Sequence, residues 1–202
     1  MTTLVKSHTV ESLLAFEQRV ADAFANKQIR APIHLSDNNA QQLIDIFKDV
    51  KENDWVFTTW RSHFHCLLKG IPEEVLFNEI VAGRSMFLND AKHKIVASAI
   101  VGGILPIALG VALANKRMGI MDERVWVFVG DMTARTGIFH EFMQYSEGHA
   151  LDIKVVVEDN GLSTNTPTEE VWGVLYGGVD VRYYKYRRDV PHTGIKDWVN
   201  FS

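Results

Sequence analysis

The sequence has little that would cross-link the chain or draw it to a polyanion. Cys66 is the single cysteine among 202 residues, which excludes an intramolecular disulfide and is typical of a reducing compartment. The formal net charge is −4 and the pI is near 6.1. The chain therefore has no overall basic field to attract nucleic acid or anionic lipid.

Long hydrophobic runs are also scarce. Near the N-terminus Glu11 and Glu17 flank only a short apolar run over 13–16, so no signal-peptide core is predicted. The longest apolar region, 95–114, is rich in glycine and alanine and contains Pro106. We interpret it as a buried core helix, although its length alone leaves a membrane-spanning helix open. The sequence predicts a soluble cytoplasmic protein.

The composition that remains is that of an ordinary globular protein. Apolar residues make up 47% of the chain and charged residues 23%. We predict a single module over 1–202, with a helical arm over about 1–53 and a core over about 54–202.

Apolar spacing and end signals predict the helices of the first half. One helix is expected over 10–27, and a second begins after the N-capping pair Ser36-Asp37 and runs through Phe47. A third is expected over 63–70, with Gly70 at its end, and a fourth over 72–83, with Gly83 past its end. In the long apolar region Gly102, Gly103 and Gly110 interrupt a helix. Close packing against another backbone would explain these glycines.

Strands and helices alternate in the second half. Apolar strands are predicted at 125–129, at 153–157 and near 181–186, with a helix over 137–150. Continuous apolar strands separated by helices favour an α/β fold, a parallel sheet with helices on both faces.

Two of these strands end in polar residues suited to a hard metal ion. Asp131 follows the first, and Glu158-Asp159-Asn160 closes the second. Gly161 permits a sharp turn that would bring the carbonyl of Leu162 inward. In an open parallel sheet, ligands lie beyond the carboxyl ends of the strands, and oxygen donors favour Mg²⁺ or Ca²⁺ over zinc. The alternative is that Asp131 only caps the next helix.

The spacing of these strand ends carries a family resemblance. Gly130-Asp131 and, 29 positions after Asp131, Asn160 resemble the thiamine diphosphate-binding motif. The segments "TWRSHFHCLLKGIPEEVLFNEI", "AIVGGILPIALGVALANKRMG" and "GDMTARTGIFHEFMQYSEGHALDIKVVVEDNGLST" together resemble the alpha subunit of two-subunit 2-oxo acid dehydrogenases, over roughly 30–165. The resemblance implies thiamine diphosphate and Mg²⁺ as cofactors, and decarboxylation of a 2-oxo acid followed by transfer or oxidation of the acyl unit.

Site residues follow from the same resemblance. It implies Asp131, Asn160 and the Leu162 carbonyl as Mg²⁺ ligands, and His63 as an active-site histidine near the reacting end of the cofactor. Arg61 would reach the diphosphate, for which a planar guanidinium is suited, and Val101 would be the apolar wedge that bends the cofactor. The cofactor-binding set implied is Trp60, Arg61, Ala99, Ile100, Val101, Gly102, Gly130, Asp131, Met132, Thr133, Asn160 and Leu162.

Several positions depart from the family pattern. Trp60 replaces a tyrosine, Met132 a glycine, Ser98 a histidine or asparagine, and Ile104 a glutamine. The chain also stops soon after the second motif strand, whereas the family's alpha subunits continue. These departures motivate a second reading, a non-catalytic structural or regulatory relative. A split transketolase-like ketol transferase shares the metal motif, and a nucleotide-binding α/β domain would explain Asp131 but not Asn160.

A partner subunit is implied by what the chain lacks. In the family, a glutamate from a separate pyrimidine-binding module protonates the aminopyrimidine ring, and no such second module is recognisable in this sequence. The resemblance therefore implies half an active site, completed by a beta-like subunit in a hetero-oligomer. The surface around 95–119 is predicted to be part of that interface.

The other patterns favour structural roles. "HFHC" over 63–66 lacks the further ligands of a zinc site. "YYKYRR" over 183–188 could meet nucleic-acid phosphates, but the acidic chain favours an edge strand or a subunit contact. "STNTPTEE" over 163–170 is typical of a loop, near the cofactor mouth. His140-Glu141 is expected to be a solvated or capping pair.

Overall fold

The computed structural model describes residues 8–173 and 181–201. Its eight strands are β1 (Trp55–Thr59), β2 (Asn89–Asp90), β3 (Ile95–Ser98), β4 (Val125–Gly130), β5 (Ile153–Asp159), β6 (Leu162–Ser163), β7 (Thr166–Pro167) and β8 (Arg182–Lys185). Its helices are α1 (Val10–Ala25), α2 (Ala40–Phe47), α3 (His63–Leu68), α4 (Glu73–Val81), α5 (Ile104–Met118), α6 (Gly137–Gly148) and α7 (Thr168–Trp172). Short 3-10 turns span Ser85–Phe87 and Thr133–Arg135.

Six strands form one mixed, mostly parallel sheet in the order β2-β3-β1-β4-β5-β8. Its central strands pair in parallel, for example Phe57 with Val127 and Val127 with Val155. The edge strand β2 is antiparallel to β3. The predicted α/β class is confirmed, with the antiparallel edge as the one difference in strand direction.

Side chains that alternate along β4 build a core on each face of the sheet. Trp126 and Phe128 face the cluster that contains Leu13 and Phe16 of α1. Val125, Val127 and Val129 face the cluster of α5 and α6. Because residues two apart lie on the same side of a strand, one apolar strand supplies both cores. Helix α1, within the predicted arm, thus packs directly against the sheet.

The structure corrects the prediction for the long apolar region. Residues 95–98 form β3, and α5 begins only at Ile104. A short apolar run bounded by turns cannot be assigned to strand or helix by periodicity alone, which explains the error. Strand β1 was not predicted, although its sequence Trp-Val-Phe-Thr-Thr consists of residues that favour strands.

The glycines of this region also differ from the prediction. Gly102 has a φ of +72°, and a Cβ there would lie 2.8 Å from Cγ2 of Ile138, so this residue packs closely against a side chain and not, as predicted, against another backbone. Gly110 has no atom within 4 Å of such a Cβ, so the packing explanation is wrong there.

The other predicted helices are confirmed, with one late start. Helix α2 begins at Ala40 after Asn39, and Asp37 adopts a φ of +67° instead of capping it. Within residues 8–173 and 181–201, no helix combines the length and the apolarity needed to cross a membrane.

Candidate functional site

A pocket opens at the carboxyl ends of β1, β4 and β5. Parallel strands bring these ends to one edge of the sheet, where Gly130 of β4 lies opposite Glu158 of β5. Predicted residues that line the pocket are Trp60, Arg61, Val101, Gly130, Asp131, Met132, Thr133, Asn160 and Leu162. The lining also includes Glu158, which the sequence analysis places at a strand end suited to a metal, and Ser163 and Thr164, which it places near the cofactor mouth. Lining residues that it does not predict are Thr59, Tyr186, Arg188 and His192.

Asp131 is a buried carboxylate at the mouth of β4, with 6% of its surface exposed. The hydroxyl of Thr168 donates a hydrogen bond to its Oδ2 atom, and the Asn160 backbone N–H also contacts the carboxylate. Burial raises the pKa of Asp131, and the nearby Asp159 carboxylate adds to this rise. In the described part of the chain no Lys, Arg or His lies within ion-pairing distance of it. The following helices receive no side-chain cap from Asp131, so the capping alternative is wrong.

Two further oxygen donors follow β5. The side-chain Oδ1 of Asn160 accepts the backbone N–H of Leu162 at 3.0 Å, which fixes the amide at the strand mouth. Gly161 makes the turn with a φ of +71°. Leu162 pairs with Pro167 across the β6–β7 hairpin, and proline has no N–H to donate to the Leu162 carbonyl. That carbonyl is therefore left without a donor from its strand partner.

The opposite wall of the pocket is basic. Arg61 is 7% exposed, and its guanidinium donates to the carbonyl of Leu35. Arg188 donates to the Thr164 carbonyl at 2.6 Å. None of the carboxylates that the structure describes forms an ion pair with either arginine. Burial lowers the pKa of Arg188, and the positive charge of Arg61 lowers it further.

Histidines extend this basic wall without adding charge at neutral pH. Burial, followed by the charges of Arg61 and Arg188, lowers the pKa of His192. Burial and the charge of Arg61 lower the pKa of His34 to about 3. The ring of Trp60 lies 5.9 Å from that of His34 and 6.0 Å from that of His192, measured between centroids. Arginine and histidine side chains that lower each other's pKa values indicate a site where a bound anion would stabilise their charged forms.

Four of the predicted site residues are not on the pocket wall. His63 is fully buried, with Nε2 at 2.8 Å from Oγ of Ser85 and Nδ1 at 3.5 Å from Oε1 of Glu17. Ile100 points outward and is 72% exposed. The pocket lining likewise omits Ala99 and Gly102, so only Val101 of that loop reaches it.

Met132 turns away from a purely diphosphate-facing position. Its Sδ atom accepts the indole N–H of Trp172, at 2.7 Å, and so links the pocket rim to α7.

The basic residues Arg188 and His192 were missed for a reason that the topology explains. The cluster over 183–188 was interpreted as an edge strand, and β8 is indeed at the sheet edge. However, β8 is parallel to β5, so its carboxyl end lies at the same edge as Asp131. A prediction that the strand near 181–186 is parallel to the one at 153–157 would have placed Arg188 and His192 near the site.

The donor set fits a magnesium ion that in turn holds a phosphorylated ligand. A carboxylate, an amide oxygen and a backbone carbonyl are hard donors, and Mg²⁺ is usually held by one or two carboxylates together with phosphate oxygens and water. No group of three or more His, Cys, Asp or Glu side chains suited to a metal occurs in the described residues, which argues against a zinc-type cage. The pocket thus holds a buried carboxylate without a cationic partner and two guanidiniums without an anionic one, Arg61 buried and Arg188 half-buried. A metal-bound diphosphate would compensate both.

Comparison with known proteins identifies a family. A model of the family "Dehydrogenase E1 component" matches residues 8–173. The alpha subunit of acetoin:2,6-dichlorophenolindophenol oxidoreductase is 29% identical over 164 residues in Bacillus subtilis, covering 76% of this chain and 49% of that protein. Its counterpart from Cupriavidus necator is 27% identical over 175 residues, with coverages of 82% and 52%.

A plant protein gives a similar match. The chloroplastic pyruvate dehydrogenase E1 component subunit alpha-3 of Arabidopsis thaliana is 26% identical over 197 residues, covering 83% of this chain and 46% of that protein. The chain spans about half the length of the curated relatives it matches.

Proposed function

Because the chain belongs to the dehydrogenase E1 component family, we propose that it is the thiamine diphosphate- and Mg²⁺-binding subunit of a heteromeric enzyme. This enzyme decarboxylates a 2-oxo acid and passes on the acyl unit. The observation that carries the proposal is one pocket with charges of both signs, lined by Asp131 and by Arg61 and Arg188. Such a pocket suits a divalent cation bound to a diphosphate.

The residues have separate tasks in this proposal. Asp131, Asn160 and the Leu162 carbonyl hold the metal, while Arg61, Arg188 and His192 bind the diphosphate oxygens. Val101, half exposed at the rim, supports the bent cofactor. The cofactor supplies the carbanion chemistry, and the protein supplies position and electrostatics.

His63 remains the candidate catalytic residue. Its imidazole is bonded to Ser85 beneath the pocket wall, so it would act on a substrate only after that contact opens. A His63→Gln variant is expected to lower turnover while leaving cofactor affinity unchanged. Loss of cofactor affinity instead would indicate a structural role.

A partner subunit completes the site in this proposal. Apolar residues beside the pocket are unusually open to solvent, with Ile100 72% exposed, Val101 50% and Ile107 50%. Exposed apolar patches of this kind mark protein interfaces. We propose that a beta-like, pyrimidine-binding subunit covers this surface and provides the groups that this chain lacks.

One observation favours a second candidate, a non-catalytic relative that still binds the cofactor. The catalytic candidate His63 does not line the pocket, whereas the metal and diphosphate residues do. Binding and turnover are therefore separable in this chain.

The test is the thiamine diphosphate content of the complex recovered from the native host through a tag on this chain. Near-stoichiometric cofactor with a co-purifying second subunit is expected, and turnover of 2-oxo acids by that complex would favour the enzyme over the non-catalytic relative. A complex that contains the partner and Mg²⁺ but no cofactor would contradict the proposed function.

A further inference from the structure

The segment 186–194 shapes the basic wall although it has no regular secondary structure. Tyr186, Arg188 and His192 of this segment line the pocket. The residues follow β8 as coil and bends, so no helix or strand fixes where the side chains point. Their positions must be set by contacts with another part of the chain.

Those contacts come from the segment 33–38, between α1 and α2. The N–H of Gly194 donates to the Ile33 carbonyl at 2.9 Å, and Oγ1 of Thr193 lies 3.0 Å from Nε2 of His34. At the other end Nδ2 of Asn38 donates to the Arg187 carbonyl at 2.9 Å. The two anchored ends therefore bracket Arg188 and His192, whereas Tyr186 is held by the Asp159 carbonyl.

Asp37 makes the contact nearest to Arg188. Its Oδ2 atom accepts the backbone N–H of Asp189, and that of Val190 at 3.2 Å. These are the two amides that directly follow the arginine, so the carboxylate fixes the backbone from which the guanidinium projects. A carboxylate that accepts backbone N–H groups forms charge-assisted bonds, which are stronger than neutral ones.

Asp37 is in turn held by the protein core. Its own N–H donates to Oε2 of Glu17 at 3.0 Å, and the Ser36 N–H donates to Oε1 at 2.5 Å. Glu17 lies on α1 and is 5% exposed. The backbone of Asp37 has a φ of +67°, a conformation that aspartate tolerates better than most residues. The buried carboxylate of Glu17 thus fixes the segment 33–38, and the carboxylate of Asp37 fixes the segment 186–194 at the pocket.

We propose that Asp37 is a positioning residue that sets the diphosphate affinity of the pocket through Arg188. The proposal rests on the proposed function, because Arg188 can be positioned for binding only if the pocket binds a diphosphate. Asp37 does not itself line the pocket, so its effect on binding must pass through the segment it holds.

Two substitutions separate positioning from folding. Asp37→Gly removes the carboxylate and keeps a residue that accepts a positive φ, and Asp37→Asn keeps one acceptor oxygen. Asp45→Asn removes the same charge from an exposed site on α2, where Asp45 pairs with Lys48, and is the matched control. Thiamine diphosphate with MgCl₂ is titrated into each full chain by calorimetry, and unfolding by urea is measured in parallel.

The Asp37→Gly variant loses both hydrogen bonds to the segment, and it is expected to bind about tenfold more weakly because a displaced Arg188 would lose about one charge-assisted hydrogen bond to the diphosphate. Asp37→Asn should restore most of the affinity, and Asp45→Asn should match the wild type. In a cycle with Arg188→Ala, the double variant Asp37→Gly/Arg188→Ala should bind no more weakly than Arg188→Ala alone, because both act through one guanidinium.

Additive losses in the cycle, or unchanged affinity of Asp37→Gly with reduced stability only, would overturn the inference. A wild-type chain that binds no thiamine diphosphate even in the complex with its partner subunit would overturn the proposed function and this inference with it. The wild-type titration distinguishes that outcome from failure of the inference alone.

Discussion

The two walls of the pocket are built in different ways. On the acidic wall Asp131 and Asn160 follow adjacent parallel strands, so the sheet itself brings them together. On the basic wall Arg61 follows β1, whereas Arg188 and His192 belong to coil that is held by the distant segment 33–38. The acidic wall depends on local sequence and strand order. The coil part of the basic wall depends on contacts between the segments 33–38 and 186–194, which are far apart in the sequence.

This difference teaches where each wall is vulnerable. Substitution on the acidic wall removes a donor from a rigid strand end and should leave the fold intact. Substitution on the basic wall, or in the segments that hold it, should change affinity through geometry as well as charge. The predictions below test this division, beginning with the largest effect.

Asp131→Ala should produce the largest loss. Substitution of residues that only hydrogen-bond to metal ligands lowers metal affinity about 10- to 100-fold. Loss of the carboxylate itself should therefore weaken Mg²⁺-dependent binding of thiamine diphosphate by about 100-fold or more. The unfolding transition should stay cooperative. Asp152→Ala, at the amino end of β5 where Asp152 pairs with Lys154, is the control. Cofactor retention by Asp131→Ala would remove this residue from the metal site.

Arg188→Ala should weaken diphosphate binding by about 10- to 100-fold, because it removes charge-assisted hydrogen bonds from a half-buried site. The neighbouring Arg187, whose side chain is 83% exposed, gives a matched control in Arg187→Ala. Calorimetric titration of both variants checks the result. Equal affinities would mean that the cluster after β8 belongs to the surface and not to the pocket.

The cost of the basic wall should be visible in the pH dependence of stability. The pKa of His34 falls to about 3 in the folded chain, so below an unfolded pKa of 6.5 the unfolded state binds more protons. Stability should therefore be fully present above pH 6.5 and decline as the pH falls, by up to about 1.4 kcal/mol per unit.

Urea unfolding between pH 7.5 and 5.5 measures this slope. His34→Gln should flatten it in part, with the remainder assigned to His192, whose pKa is lowered in the same direction. An unchanged slope in His34→Gln would show that this imidazole does not titrate in the expected window.

Met132→Gly should have the smallest effect on binding. Its side chain contacts Trp172, so we expect the cofactor affinity to change less than about threefold and the stability to fall by about 1 kcal/mol, the entropic cost of glycine. Titration and thermal unfolding check both values. A gain in affinity of about tenfold or more would show that Met132 obstructs the diphosphate.

The sequence allowed the acidic wall and Arg61 of the basic wall to be predicted, but not Arg188 or His192. Asp131, Asn160 and Leu162 could be assigned because each follows a strand that its apolar run predicts, and a glycine marks the turn. Arg188 could not, because its position depends on the parallel placement of β8 and on Asp37, which is 151 positions away. Strand β3 was mistaken for helix because a four-residue run with three apolar residues carries too little periodicity. His63 was matched by its position beside Arg61, but no sequence pattern shows that its ring is bonded to Ser85.

The measurement that tests the central claim most directly is calorimetric titration of the wild-type chain with thiamine diphosphate, once with MgCl₂ and once with EDTA. The opposed charges of the pocket predict binding with Mg²⁺ and at least about a 100-fold loss in EDTA, because the acidic wall then repels the ligand that the basic wall attracts. Equal affinity under both conditions, or no binding with Mg²⁺, would contradict the account.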